Sequence, residues 1–173
     1  PSANLGYEFS EEKSLQFSYS RRISRPSFWS LNPFFTFSDD RNFWGGNPDL
    51  NPEFSHNLEL GFLRIFERGS LFSAVYYRRT TGVTERIQRV NPDGTSITRP
   101  ENLATQDNYG FELNANYKLA AWLKVNGDLN LFQEIVDGGE EFPELRAETF
   151  TWFTRATAQF DITKRTEGQI RFN

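Results

Sequence analysis

Between residues 111 and 131 the side chains alternate so regularly that the chain has one way to pair with itself. Phe111, Leu113, Ala115, Tyr117 and Leu119 fall on one face of an extended segment, and Glu112, Asn114, Asn116 and Lys118 fall on the other. Leu123, Val125, Gly127, Leu129 and Leu131 then alternate with Lys124, Asn126, Asp128 and Asn130. Successive side chains of a strand point to opposite faces, and directly paired residues share a face. Pairing Leu119 with Leu123 leaves a turn at residues 120–122 and sets each apolar residue opposite another. A one-residue slip would scramble both faces, so the pattern specifies its own register.

The same period predicts strands over residues 3–10, 14–24, 57–67, 70–90, 106–119, 123–137, 147–162 and 167–173. Several exceed the ~5 to 6 residues of an ordinary globular strand and reach the ~9 to 11 that a tilted membrane strand needs. Connectors at 11–13, 68–69, 120–122 and 163–166 are short, those at 25–56 and 91–105 are long, and 138–146 is intermediate. A strict short-long rhythm gathers the long loops on one side, as in up-and-down membrane barrels. The expected fold is therefore all-β, an antiparallel meander of about eight strands forming a segment of a larger transmembrane β-barrel. Phe150, Trp152, Ala156, Ala158, Phe160 and Ile162 alternate with Thr151, Arg155, Thr157, Gln159 and Asp161, with Phe153 the exception. Leu5, Tyr7 and Phe9 can face Tyr19, Phe17 and Leu15. The hairpin through Phe62 and Tyr77 is less clean, because Leu63, Ile65, Leu71 and Val75 share one parity and Phe62, Phe66, Phe72 and Tyr76 the other. Tyr109, Trp122 and Trp152 are candidates for interfacial aromatic girdles. The competing architecture is a soluble cell-surface β-sandwich that binds carbohydrate on aromatic platforms, since sandwiches alternate too.

Composition narrows the function. Aromatic residues are 16% of the chain, which suits pleated surfaces. Mean hydropathy is -0.63, and no run approaches the ~20 apolar residues of a spanning helix. With 19 Lys plus Arg interspersed among 23 Asp plus Glu, no basic stripe exists for nucleic acid. There is no cysteine, and the single histidine, His56, has no second histidine to complete a metal site and reads as a loop-end side chain. Asp39 with Asp40, and Glu140 with Glu141, read as solvated loop acids rather than a glycosidase pair. Asp93 and Gly94 read as turn chemistry. No catalytic residue, metal or cofactor is expected.

Residues 17–62 carry a more specific signal. Tyr19 to Pro26 reads YSRRISRP, Leu31 to Phe34 reads LNPF, and Gly46 to Glu53 reads GNPDLNPE, followed by NLELGF from Asn57 to Phe62. In order and spacing these resemble the barrel of TonB-dependent outer-membrane receptors, most closely the branch with an N-terminal carboxypeptidase-regulatory-like domain. The resemblance covers about a quarter of the chain directly and implies a twenty-two-strand barrel with an N-terminal plug that imports a scarce nutrient with energy from TonB. This chain departs from that pattern in lacking the plug, the TonB box and most strands, so residues 1–173 are expected to be a partial barrel, an interior piece toward its C-terminal half. The implied partners are outer-membrane lipid, TonB through the absent plug, and a nutrient ligand, in the outer membrane of a Gram-negative bacterium. Pro26, Pro33, Pro48 and Pro52 mark an ordered loop, because proline cannot donate to a central ladder. Ligand-contact candidates on that loop are Arg25, Trp29, Phe34, Phe35, Asp39, Asp40, Arg41 and Trp44. Arg21, Arg22 and Arg25 are candidates for an anionic ligand or a lipopolysaccharide phosphate.

Overall fold

The computed structural model describes residues 1–37, 39–139, 142–143, 145–163 and 166–173. Its elements in chain order are β1 (Ser2–Ser10), β2 (Lys13–Ser24), α1 (Phe28–Leu31), β3 (Thr36–Phe37), β4 (Asn42–Trp44), β5 (Glu53–Phe66), β6 (Gly69–Val90), β7 (Ser96–Ala120), β8 (Leu123–Asp137), β9 (Arg146–Thr163) and β10 (Thr166–Phe172). All ten strands belong to one sheet, with the long strands in the order β1-β2-β5-β6-β7-β8-β9-β10. Each neighbouring pair in that order is antiparallel. A meander of this kind puts alternate connections at opposite ends. The chain therefore leaves β2, β6 and β8 at one end of the sheet and β1, β5, β7 and β9 at the other. A sandwich needs two packed sheets. One sheet holds every strand here, so that alternative fails.

The register turns the alternation into rows that cross the sheet. Leu5, Phe17, Leu60, Val75, Phe111, Leu131 and Trp152 are paired in succession from β1 to β9. One residue along, Gly6, Gln16, Gly61, Ala74, Glu112, Asn130 and Phe153 form a row on the opposite face. The polar face is the hollow one. Tyr76 on β6 donates its hydroxyl to Asn130 Oδ1 on β8 at 3.2 Å, reaching across the whole width of β7. The apolar face is convex and open, with Leu5 71% and Phe150 67% exposed.

The self-specified hairpin has the expected register, with Phe111 opposite Leu131 and Leu113 opposite Leu129, and a bulge beside the turn pairs Ala120 with Leu123. Four expectations need correction. In the first hairpin Leu5 faces Phe17 and Tyr7 faces Leu15, two residues from the predicted pairing; a shift of two preserves both faces, so alternation alone cannot detect it. In the hairpin of β5 and β6, Phe62 lies opposite Ser73 and Leu63 opposite Phe72, so residue parity reverses across the turn. Phe62, Phe66, Leu71 and Val75 thus share the convex face, and Leu63, Ile65, Phe72 and Tyr76 the hollow one. Strand β5 starts at Glu53 rather than residue 57, because Glu53 to His56 pair with Ser24 to Arg21. His56 is accordingly a strand residue, not a loop end.

The fourth correction is the largest. Residues 91–105 are not a long loop: β7 begins at Ser96, which pairs with Val90, and only residues 91–95 turn. Asp93 shapes that turn by accepting from the Thr95 amide at 2.9 Å and the Thr95 hydroxyl at 2.6 Å. These hydrogen bonds hold its carboxyl below the usual carboxylate range, the Thr95 hydroxyl contributing most. The result is a tall hairpin whose stem extends well past the ends of β5 and β8.

Candidate ligand-binding surface

The segment 25–52 folds against that hairpin. Ser27 caps α1 by accepting from the Ser30 amide at 3.1 Å, supplying a partner for an otherwise orphaned helix donor. Gly46 donates to the Asn32 carbonyl at 2.8 Å and Asn47 to the Ser30 carbonyl at 2.7 Å. A Cβ on Gly46 would stand 2.7 Å from both Ser30 O and Asn32 N, so only glycine allows the two arms of the loop this close.

The loop then docks edgewise on the hairpin. Strand β4 pairs antiparallel with β3 and parallel with β7, with Asn42, Phe43 and Trp44 beside Ser96, Ile97 and Thr98. Ser96 donates its hydroxyl to Asn42 Oδ1 at 2.6 Å and its amide to the Arg41 carbonyl at 2.7 Å. Below this, Asn102 accepts from the Asn51 amide at 2.7 Å and donates to the carbonyls of Asn51 at 3.0 Å and Gly82 at 2.7 Å. Glu53 accepts from the Thr84 amide at 2.9 Å. Leu50, Val83 and Ala104, all buried, lie in the loop and the stem it covers.

A recess of about 290 Å3 opens where loop and hairpin meet. Trp29, Phe34 and Trp44 come to it from the loop, and Arg86, Thr98 and Arg99 from β6 and β7. Trp29 and Phe34 are almost fully exposed, while the Arg86 guanidinium lies 5.7 Å from the Trp44 ring centre, a cation–π arrangement. Arg99 and Arg89 both reach the buried Glu101, at 2.9 Å and 2.7 Å, which fixes the charge beside the opening.

Of the eight loop residues singled out in the sequence, the fold thus gathers Trp29, Phe34 and Trp44. Phe35 instead lays its ring over Gly45. Asp39 is spent inside the loop, accepting from the amides of Arg41 at 2.8 Å and Asn42 at 2.9 Å and from the Asn42 side chain at 2.9 Å. The Arg41 amide is the main cause of its lowered pKa. Arg41 contributes a backbone carbonyl to β7, and Arg25 and Asp40 are exposed outside the recess lining. Glu140 and Glu141 lie outside the described residues. Arg86 and Arg99 escaped the sequence reading because they sit 42 and 55 positions beyond Trp44, in a stretch that reads as strand end and loop.

A second hollow, of about 740 Å3, occupies the polar face between β2 and β8. Arg22, Arg78, Glu59, Glu112 and Glu134 line it together with Ser, Asn and Gln side chains. Arg78 donates to Asn57 Oδ1 at 2.6 Å and Gln106 to Glu134 at 2.6 Å, so the wall is a network of satisfied polar groups. Among the described residues no cluster of His, Cys, Asp and Glu could hold a metal ion.

Residues 1–173 match the outer membrane protein beta-barrel family over their whole length. No curated protein matches the chain in sequence. Among solved structures, the siderophore receptor PirA from Pseudomonas aeruginosa is similar, with 16% identity and a TM-score of 0.66 over 95% of this chain and 36% of that one. A mutant of the ferric enterobactin receptor PfeA from the same organism has 14% identity and a TM-score of 0.61 over 98% of this chain and 33% of that one. The copper transporter OprC has 13% identity and a TM-score of 0.57 over 96% of this chain and 31% of that one. The chain thus spans about a third of the length of the solved proteins it matches.

Proposed function

The chain belongs to the outer membrane protein beta-barrel family, and from that premise we propose that it is part of the wall of a TonB-dependent receptor that takes up a nutrient. The rest of the wall and a plug that meets TonB belong to the parent protein in this reading, and residues 1–173 contribute wall strands and ligand-contacting loops without covalent chemistry. Two supports come from comparison: the receptor-like motifs between Tyr19 and Phe62, and the likeness in fold to receptors named for siderophores. The observation that carries the ligand-binding part is the recess where Trp29, Phe34 and Trp44 meet Arg86 and Arg99. Exposed rings beside guanidinium groups suit a ligand with a flat apolar surface and negative charge.

The test uses the full-length receptor. Ferric chelates, copper salts, oligosaccharides, peptides and vitamins are titrated against its tryptophan fluorescence. One class is expected to quench, and Trp29→Phe with Trp44→Phe to remove that response. The same compound should accumulate in cells only while TonB is intact. Accumulation that persists without TonB would sink energised uptake, and quenching that survives the double substitution would remove the recess from the ligand path.

A further inference from the structure

The convex face changes character toward the loop end. Its apolar row through Phe17, Leu60, Val75 and Phe111 is followed by Tyr19, Leu58, Tyr77 and Tyr109, a row whose three tyrosines suit the level where membrane proteins meet headgroups. The next outward row is Arg21, His56 and Arg79, paired directly across β2, β5 and β6. Neighbouring strands lie ~4.8 Å apart, so these three side chains fall within about 10 Å of one another. The Arg21 guanidinium rests 4.8 Å from the Phe54 ring centre, and the Tyr19 hydroxyl meets His56 Nδ1 at 2.9 Å, which leaves Nε2 for an outside partner. The row continues on β7 with an acid, Asp107, which lies 3.8 Å from Arg79 and also accepts from the Tyr77 hydroxyl at 2.6 Å. By contrast Arg22, next in sequence, turns into the hollow.

Resting on the reading of this sheet as an outer-membrane wall, we propose that Arg21, His56 and Arg79 form a site for the phosphate of an outer-leaflet lipid. Three donors stand directly above an apolar surface, so a phosphate held there leaves its acyl chains lying over Tyr19, Leu58 and Leu60. A free anion would gain nothing from that continuity. Guanidinium groups bind phosphate through paired charge-assisted hydrogen bonds, and these are strong beside a low-dielectric surface.

The experiment titrates diphosphoryl lipid A into the full-length receptor in neutral detergent micelles and follows bound lipid by native mass spectrometry. Wild type should retain lipid A, with dephosphorylated lipid A and inorganic phosphate both failing to compete. Arg21→Gln with Arg79→Gln should weaken binding at least about tenfold. Asp107→Asn, which frees Arg79, should tighten it, a gain that misfolding cannot mimic. Arg64→Gln tests the opposite end of the same face, where Arg64 lies opposite Lys13, and should leave binding unchanged. Equal loss with Arg64→Gln, equal binding of dephosphorylated lipid A, or no gain with Asp107→Asn overturns the site while leaving the wall reading intact. Recovery of the receptor in the soluble fraction would overturn both.

Discussion

Tyr76 lies along the hollow face because its neighbour on β7 is Gly110. A Cβ at position 110 would clash with the Tyr76 ring, which must pass over this residue to reach Asn130. Gly110→Ala should therefore push the ring off the wall, break the bond to Asn130 and cost about 1–3 kcal/mol, the usual range for overpacking. In a Tyr76→Ala background the same change should cost much less, because the group it displaces is gone. Urea unfolding of the full-length receptor in lipid vesicles measures both, and equal costs in the two backgrounds would show that Gly110 serves some other need. Nothing in the sequence marks this pair. Residue 110 falls inside a clean alternation, and the need for glycine arises from a tyrosine thirty-four positions earlier that only the register brings alongside. His56 was obscured for a related reason: the prolines before it suggested loop, while its partners Arg21 and Arg79 lie on other strands.

At the scale of elements, strands with one polar face were legible and the hairpin stem was not. Strand β8 was read to its exact ends because alternation, length and turn residues agree there. Residues 96–105 contain Pro100 and follow Pro92, Asp93 and Gly94, and local composition argued for loop. They form strand because β6 continues opposite them and β4 adds to their free edge as far as Thr98. That support is tertiary. The candidate site shared this fate, since its aromatic half lies in the loop that the motifs marked and its cationic half lies on the stem. Asn102 joins the two by holding both the amide and the carbonyl of Asn51 together with the Gly82 carbonyl. Asn102→Ala should release the loop base at a cost of about 1–3 kcal/mol, because one side chain holds three backbone groups, the Gly82 carbonyl among them partly buried. Limited trypsin digestion of the full-length receptor should then cut faster at Arg25 and Arg41. An unchanged digestion rate would mean that the β4 ladder alone holds the loop.

At the scale of the whole molecule, the two faces define the wall. Leu113 lies in the convex row and Asn114 faces the hollow. An arginine near the bilayer midplane costs ~2–4 kcal/mol on the lipid face and little on the lumen face. Leu113→Arg should therefore reduce the amount of folded, heat-resistant barrel in outer membranes far more than Asn114→Arg, and equal yields would reverse or erase the assignment of faces. The unequal heights of the strands carry a different consequence. Strand β8 ends with Asp137 opposite Thr105, while β7 continues nine residues further, to Ser96. At ~3.3 Å per residue the stem stands about 30 Å beyond its neighbour. An approaching phage tail or antibody would meet the tip of this spire, and because β4 lies beside Ser96 to Thr98 it would touch the turn and the upper part of the loop together. Selection by such attackers would then fall on the turn at Asn91 to Thr95, which lines none of the recess and is free to vary, and on β4, whose Trp44 the recess needs.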